Sequence, residues 1–400
     1  MQKSLGKNYF IFAITVVLVG LNLRPIMASI GPILDSIQHD TGIGDTTAGL
    51  LTTLPVLAMG IFALLGGLLQ RRFGVEATVT AGLIAIGVGS AARVLFPTEV
   101  GLIATAGVSG IGIAVIQAVL PGLIKRDFSA HAGRLMALYT VGIMGGAMIA
   151  SGSVAPIAEA MGWAGSLGVW AVLAVVAGVA WGVVCRSNPA KAAVSGRSLP
   201  VASPRAWYLL AFFGIGTSAY TLVLAWLPPF YVQLGWSPAA SGLLLGGLTF
   251  AQVVAAVGLS SIVDRFPDRR PLLYAILLVI AAGFLCLVIA PQPLALPALI
   301  LLGFGIGGLF PMSLIIVVDH LQDASQAGAL MGFVQGGGYI VASVMPFVGG
   351  LLRATLHDLS SAWAIMAGGV VVLLLMVPAL APSQSLSQHD WTLEVSRTNK

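Results

Sequence analysis

The sequence predicts an all-α membrane protein in which twelve transmembrane helices form two parallel six-helix repeats. Three observations support this prediction: the composition, a series of long apolar segments, and an internal repeat. Of the 400 residues, 58% are hydrophobic and only 8% are charged, and the mean hydropathy is +0.99. Soluble domains are about 25% charged. The composition therefore indicates a protein that crosses the membrane many times.

The apolar segments are long enough to cross a bilayer, which takes about 20 apolar residues in a helix. Short clusters of charge, Pro and Gly separate them. Lys3 and Lys7 precede the first segment as in a secretory signal, but this segment continues beyond signal length, so we interpret it as a span. The predicted spans are 8–33, 46–69, 76–95, 99–121, 132–155, 163–185, 206–229, 239–263, 271–290, 294–318, 327–352 and 360–381.

The basic residues predict the orientation of these spans. With a cytoplasmic N-terminus, sixteen of the nineteen Lys and Arg residues fall on the cytoplasmic side, as the positive-inside rule requires. The even number of spans places both termini there. The net charge of +5 thus reflects topology and gives no reason to expect nucleic acid as a partner. The three exceptions are Arg24, Arg93 and Arg353.

Short matches between the two parts of the chain indicate the repeat. Gly49–Leu51 recurs 193 positions later as Gly242–Leu244, and the Gly-x-Gly-Ile pattern that begins at Gly110 recurs at the same offset from Gly303. Six spans in each half mean a parallel repeat, in which the substrate site lies between the halves. We therefore predict an N-terminal six-helix bundle (1–185), a cytoplasmic linker (186–205), a C-terminal six-helix bundle (206–381) and a cytoplasmic tail (382–400).

Two loops of the chain carry a recognisable motif. Gly67 lies at the end of span 2 and Arg72 follows that span, while Asp264 and Arg265 follow span 8. A Gly-x-x-x-Asp-Arg-x-Gly loop after span 2, with a related loop after span 8, is the signature of the major facilitator superfamily. This sequence resembles that superfamily. Arg71 stands where the first-half Asp of the motif is expected. The resemblance implies alternating access and a gating or coupling role for Arg72, Asp264 and Arg265.

Five further segments, spread from span 1 to span 10, narrow the resemblance. They are similar to the cyanate permease branch of the superfamily, which also includes the 2-nitroimidazole exporter. The branch implies a small solute as substrate and the inner membrane of a bacterium as location. The segments are "GLNLRP", "LLTTLPVLAMG", "IQAVLPGLIKRDF", "AWLPPFY" and "FPMSLIIVVDH".

Arg24 is the most informative single residue, because it lies in the outer half of an apolar span. Arginine keeps its proton in proteins, and insertion of a central Arg costs about 2.5–3.5 kcal/mol, so its side chain should face the protein interior. All fourteen acidic residues lie in loops or near span ends. A transported anion is therefore the expected partner of Arg24. The alternative is a structural role, capping carbonyls of a neighbouring span or reaching Asp35 or Asp40.

Neutral polar side chains complete the predicted substrate site. Each interrupts an apolar span, and amide donors beside one guanidinium suit a small, weakly hydrated anion. The alternative for each is an interhelical hydrogen bond, worth about 0.6 kcal/mol. The residues are Asn22, Gln117, Tyr220, Gln252 and Gln335.

Four residues near span ends leave two interpretations open. Arg93, near the outer end of span 3, either joins the substrate site or extends to the membrane surface. Arg353, at the outer end of span 11, is predicted to anchor the interface. Asp319 and His320 end span 10, and because His titrates near neutral pH they form either a proton-linked gate or a solvated pair.

These observations favour a secondary transporter that moves a small anion such as cyanate by alternating access. The alternatives are an exporter of small nitroaromatic drugs such as 2-nitroimidazole, and, from another class, a non-transporting membrane sensor. Proton or counter-anion coupling stays open. We expect no enzyme activity, cofactor or metal, because the spans contain no catalytic constellation or metal-spaced cluster. We expect a monomer in the lipid bilayer.

Overall fold

The computed structural model describes residues 2–185, 199–320 and 327–381, and every regular element within these ranges is helical. The helices are α1 (Gln2–Leu21), α2 (Pro25–Ala28), α3 (Leu34–Thr41), α4 (Asp45–Phe73), α5 (Val75–Leu95), α6 (Glu99–Asp127), α7 (Ala132–Gly168), α8 (Trp170–Cys185), α9 (Pro204–Gln233), α10 (Pro238–Ile262), α11 (Arg270–Ile289), α12 (Ala295–Asp319), α13 (Ala327–Leu356) and α14 (Ser360–Met376). Short 3-10 turns occur at Gly31–Ile33, Ser129–His131, Val263–Arg265 and Val377–Leu380.

The number of spans agrees with the prediction. Within the described ranges, eleven helical segments are long and apolar enough to cross a membrane, and the shorter apolar α8 supplies the twelfth. Most of the predicted linker, at 186–198, and the predicted tail, at 382–400, lie outside the described residues. The linker prediction extends slightly too far, because α9 already begins at Pro204, where the Ser203 hydroxyl accepts a hydrogen bond from the Ala206 amide.

The first predicted span, 8–33, is present but its helix is interrupted. α1 ends at Leu21, and the short α2 begins at Pro25 after a non-helical stretch. Proline cannot donate a backbone hydrogen bond, and its ring clashes with the carbonyl four residues earlier, so a helix cannot continue smoothly into Pro25. Arg24 occupies the cap position before α2, with φ −124° and ψ −23°. The break thus places a charged side chain in the middle of the bundle.

The fifth span extends beyond its predicted end at residue 155, whereas the sixth begins at residue 163 as predicted. Helical structure continues past residue 155 to Gly168, but Gly162 interrupts it with φ +77° and ψ +161°. Residues with a Cβ rarely adopt a positive φ, whereas glycine does so readily. Gly162 therefore marks the turn between the two spans, and residues 163–168 belong to the sixth span together with α8.

Two pairs of helices join the N-terminal half (α1–α8) to the C-terminal half (α9–α14). α4 packs along α13, and α7 packs on α10. Small residues permit the close approach: a Cβ on Gly49 would lie 2.6 Å from the Pro346 carbonyl oxygen, and one on Gly242 would lie 2.1 Å from the Ser151 carbonyl oxygen. The Thr53 hydroxyl also donates to the backbone of α13.

The close contact at Gly242 predicts a steric effect of a single methyl group. Gly242→Ala should separate α7 from α10 and lower the free energy of unfolding by about 1–3 kcal/mol, as overpacking does elsewhere. Gly258→Ala on the same helix is the matched control, because a Cβ there meets nothing within 4 Å. Thermal unfolding in detergent measures both. Equal melting of the two variants would show that this contact is not close in the protein.

The two ends of the bundle differ in charge. We call the end with Arg72, Arg126 and Arg269 the basic end, and the end with Asp45 and Glu99 the acidic end. This division matches the clustering expected from the positive-inside rule.

Arg353 links the two halves at the acidic end. Its guanidinium lies 3.5 Å from an Asp35 oxygen and 3.4 Å from an Asp45 oxygen, and 5.7 Å from the ring centre of Trp226. Trp226 in turn donates a hydrogen bond of 2.8 Å to the Pro346 carbonyl. Arg353 therefore forms ion pairs between the two halves at the acidic end, which the sequence did not predict.

Candidate functional site

A cavity of about 500 Å³ lies between the two halves, as expected for a parallel repeat. Residues 136–144 of α7 and 252–260 of α10 contribute to its walls, whereas the same two helices contact each other at Ser151 and Gly242, nearer the acidic end. α7 and α10 thus diverge towards the basic end. The cavity faces that end and is closed towards the acidic one.

Arg24 projects into this cavity from the break in the first span. The residue is only 5% exposed, and one guanidinium nitrogen lies 3.4 Å from the Met59 sulfur. The guanidinium carbon is 5.7 Å from the ring centre of Tyr220, and the positive charge also acts on the hydroxyls of Tyr139 and Tyr339. A polarizable sulfur and aromatic rings therefore surround the cation where an ion pair would usually be found.

Several buried polar atoms around the cavity have no hydrogen-bond partner. They are Arg24 Nε, Gln117 Oε1, Tyr139 Oη, Tyr220 Oη, and both amide atoms of Gln252. All five residues line the cavity. An unsatisfied buried polar group costs about 1–3 kcal/mol, so such a cluster is expected where a ligand or water completes the bonding. These atoms identify the polar part of the cavity as the candidate substrate site.

The charge of the site is unbalanced. Among the lining residues of the described chain there is no Asp, Glu, Lys or His, and Arg24 is the one charged side chain. The remaining wall is largely apolar, with Phe213, Met136 and Leu309 among its members. A guanidinium in such surroundings attracts a small anion that gives up its hydration easily.

Thr217 faces the same cavity as Arg24. The sequence repeat places these two residues at equivalent positions of the two halves. The pseudo-two-fold scaffold thus carries a cation on one side and a hydroxyl on the other, and the substrate charge is expected nearer the N-terminal half.

Of the residues predicted for the substrate site, the structure brings Arg24, Gln117, Tyr220, Gln252 and Gln335 to the cavity. It does not bring Asn22 there. The Asn22 amide instead donates to the carbonyls of Leu18, at 2.8 Å, and Leu173, at 3.3 Å. Asn22 therefore joins α1 to α8, which is the interhelical role left open by the sequence.

Arg93 does not line the cavity either, and the predicted extension to the membrane surface is wrong. The residue is fully buried, and its guanidinium donates to the Ile26 carbonyl at 3.2 Å and to the Thr105 hydroxyl at 3.3 Å. Ile26 belongs to α2, two residues after Arg24. Arg93 thus supports the backbone of the broken span directly behind the charge in the cavity.

The predicted gating residues occupy three different settings at the basic end. Arg72, Asp264 and Arg265 are exposed, and none of them forms an ion pair within the described ranges. Asp319 pairs with Arg269 at 2.9 Å. The expectation of a solvated Asp319–His320 pair is wrong, because each of these residues contacts a different arginine.

His320 forms a buried contact at the end of α12. Arg205 approaches His320 Nε2 to 2.6 Å, and Nδ1 lies 2.7 Å from the Ile316 carbonyl oxygen. Because Arg can only donate hydrogen bonds, Nε2 accepts and Nδ1 carries the proton. Burial lowers the pKa of His320 below its ordinary value of 6.5, the Ile316 hydrogen bond opposes this shift, and the charge of Arg205 adds to it. The neutral ring is therefore favoured.

This contact predicts a pH dependence of stability. Because the pKa of His320 is lower in the folded protein, its contribution is present above pH 6.5 and is lost as the pH falls through the folded pKa. The melting temperature of the wild type should fall more between pH 7.5 and about pH 5 than that of His320→Gln, whose amide oxygen can still accept from Arg205. Parallel melting curves would contradict the assignment.

Among the lining residues that interact with Arg24, three were not predicted from the sequence: Met59, Tyr139 and Tyr339. The two tyrosines could have been found, because only seven tyrosines occur in the chain and both lie well inside apolar segments. Met59 offers no such signal, because methionine is ordinary in an apolar span.

Comparison with known proteins identifies the family. The family model of the Major Facilitator Superfamily matches residues 10–341 and 231–389. The chain belongs to the major facilitator superfamily. The superfamily fold predicted from the sequence is thus confirmed, and the chain is a multi-pass membrane transporter.

Relatives in the superfamily cover nearly the whole chain. The cyanate transport protein CynX of Escherichia coli (strain K12) is 35% identical over 374 residues, which are 92% of this chain and 97% of CynX. The 2-nitroimidazole transporter of the same organism is 31% identical over 377 residues, 93% of this chain and 94% of that protein. Both are transporters, so the resemblance stated from the sequence is confirmed, and the non-transporting sensor has no support.

Solved structures of the superfamily share the fold. The D-xylose-proton symporter superposes with a TM-score of 0.72 at 15% identity, covering 92% of this chain and 97% of the symporter. The inward-open conformation of the xylose transporter XylE from E. coli gives a TM-score of 0.73 at 16% identity, covering 92% and 95%.

Proposed function

We propose that this superfamily member transports a small anion, with cyanate as the first candidate, by alternating access to the cavity between its halves. Arg24 is the counter-charge of the anion, and the amides of Gln117 and Gln252 with the hydroxyls of Tyr139 and Tyr220 complete its coordination. The observation that carries the proposal is the lone cation: Arg24 is nearly buried, surrounded by polar atoms without partners, and unopposed by any acid among the described lining residues.

The relatives support cyanate as the first candidate. A protein named for cyanate transport is 35% identical over almost its entire length. Cyanate is a small linear monovalent anion, which a guanidinium with neighbouring amide and hydroxyl donors can bind at one end while apolar walls contact the rest. The location proposed is the bacterial inner membrane, with the basic end and both termini in the cytoplasm.

A second candidate is export of small nitroaromatic compounds. Three tyrosine rings and Phe213 face the cavity, and aromatic rings stack favourably on one another. The 2-nitroimidazole transporter is 31% identical to this chain. In this alternative Arg24 would contact a nitro group, which carries negative partial charge on its oxygens.

Thermal-shift titration of the detergent-purified protein tests the proposal. Cyanate should stabilise the wild type in a saturable manner, whereas Arg24→Gln should lose this stabilisation. Arg134→Gln is the matched control, because Arg134 is exposed at the start of α7 and does not line the cavity. Equal stabilisation of wild type and Arg24→Gln would refute the anion site. Saturation by 2-nitroimidazole but not by cyanate would favour the second candidate.

A further inference from the structure

The charge of the empty cavity restricts how this transporter can cycle. Arg24 forms no ion pair in the described part of the chain, and its Nε atom has no hydrogen-bond partner even while the cavity faces the basic end. When the substrate is absent, the guanidinium is solvated by water from the open side and contacts the Met59 sulfur and the neighbouring Tyr220 ring. No acidic side chain among the described lining residues balances its charge.

Alternating access requires the cavity to close towards the basic end before the acidic end opens. Closure would bring together the parts of α7 and α10 that line the cavity. It would thereby remove the water that solvates Arg24. Enclosing an unpaired charge in protein is strongly unfavourable, and an opposite charge in good geometry offsets the loss of water. The loaded carrier encloses a neutral pair of charges, whereas the empty carrier would enclose a bare cation.

Protons cannot replace the anion in this step. The titratable groups that line the cavity are, within the described ranges, Arg24 and the tyrosines Tyr139, Tyr220 and Tyr339. Tyrosine and arginine side chains ordinarily keep their protons at neutral pH. No lining group thus gains or loses a proton near neutral pH in a way that would cancel the charge of Arg24.

From these observations we infer that the transporter is an obligate anion exchanger, which reorients only with a small monovalent anion bound at Arg24. The inference rests on the proposed anion site and adds the coupling mode to it. Net uptake then requires a counter-anion on the other side of the membrane, and neither a proton gradient nor the membrane potential substitutes for it. The counter-anion belongs to the same chemical class as the substrate, since both bind the same guanidinium.

Uptake of labelled cyanate into proteoliposomes at pH 8 tests the inference. One set of vesicles contains unlabelled cyanate, and the other contains gluconate, an anion too large and too strongly hydrated for the polar site. Protein-free vesicles give the passive leak, which is subtracted. We expect uptake to be at least about tenfold faster with internal cyanate, because the empty carrier rarely reorients. A protonophore should leave that ratio unchanged.

The outcomes separate failure of the inference from failure of the proposed function. Saturable uptake at equal rates with either internal anion would overturn obligate exchange while leaving an anion transporter. Uptake into gluconate vesicles that depends on an imposed pH gradient would also overturn it, in favour of proton coupling. Absence of any protein-dependent cyanate flux, with internal cyanate present, would overturn the proposed function itself.

A pair of variants tests whether the lone charge is the cause. Met59 contacts the Arg24 guanidinium at 3.4 Å, so Met59→Glu supplies a carboxylate where the anion would bind, and Met59→Gln is the uncharged match. We expect cyanate exchange by the Glu variant to be at least about tenfold slower than by the Gln variant, because the built-in partner competes with the anion. Equal exchange by the two variants would contradict the anion site at Arg24, on which the inference rests.

Discussion

Arg24→Gln is expected to abolish saturable cyanate transport. Two unit charges about 4 Å apart attract each other by roughly 4 kcal/mol at the effective dielectric constant of 20 that suits protein sites. The cost of removing water from both charges offsets part of this attraction. Because each 1.4 kcal/mol changes affinity tenfold, the loss of the remainder should weaken binding by about 100-fold or more. Uptake at a fixed, subsaturating cyanate concentration should fall to the level of protein-free vesicles.

Two measurements exclude unfolding as the cause. Removing a buried cation that has no ion pair should leave the melting temperature of Arg24→Gln at or above that of the wild type, because burial of an unpaired charge is unfavourable. Arg24→Lys keeps the charge but loses the planar fork of donors, so its affinity should fall between those of the other two proteins. Full transport by Arg24→Gln would assign Arg24 a structural role.

Arg93→Met is expected to weaken anion binding although Arg93 does not touch the cavity. The substitution keeps a long side chain but leaves the Ile26 carbonyl without its donor, which costs about 1–3 kcal/mol for a buried group. α2 then holds Arg24 less firmly. We expect the affinity for cyanate to fall about tenfold, as when a charged group is displaced by a small distance.

Thr105→Val is the matched control for Arg93. It removes the second partner of the guanidinium, at 3.3 Å, but leaves the bond to Ile26 in place. Its effect on cyanate affinity should therefore be clearly smaller than that of Arg93→Met. If Arg93→Met lowers the melting temperature but leaves the affinity unchanged, Arg93 stabilises the fold without positioning Arg24.

The depth of a residue in the membrane could be predicted from the sequence, but its direction could not. Arg24 and Asn22 are two positions apart, and both were expected at the site. The break before Pro25 turns Arg24 into the cavity, while Asn22 contacts α8. Apolar surroundings on all sides give a membrane helix no clear polar face, so the packing of neighbouring helices decides which polar side chain reaches the cavity.

Arg93 shows the same limit more clearly. Because Arg93 lies near the end of a predicted span, its guanidinium was expected to reach the membrane surface, as long charged side chains often do. The structure instead offers two acceptors inside the bundle, one of them the Ile26 carbonyl that lies just beyond the break in the first span. Such a partner, 67 residues away in the chain, cannot be read from local sequence.

The repeat, by contrast, predicted a cavity between the two halves, and the structure contains one. Equivalent positions in the two halves, such as Arg24 and Thr217, face one cavity, because a parallel repeat places corresponding spans around a common axis. The absence of acids from the apolar segments could likewise be seen in the sequence. It indicated a site with unbalanced positive charge before any geometry was considered.

The proposed transport mechanism depends on an anion bound at Arg24, and a crystal soaked with selenocyanate tests this most directly. Selenium gives an anomalous signal, and selenocyanate has the charge and linear shape of cyanate with a heavier end. We expect one anomalous peak in the cavity, among the side chains of Arg24, Tyr220 and Gln252. A peak elsewhere in the cavity, or none at a concentration that blocks cyanate uptake, would contradict the assignment of Arg24 as the counter-charge.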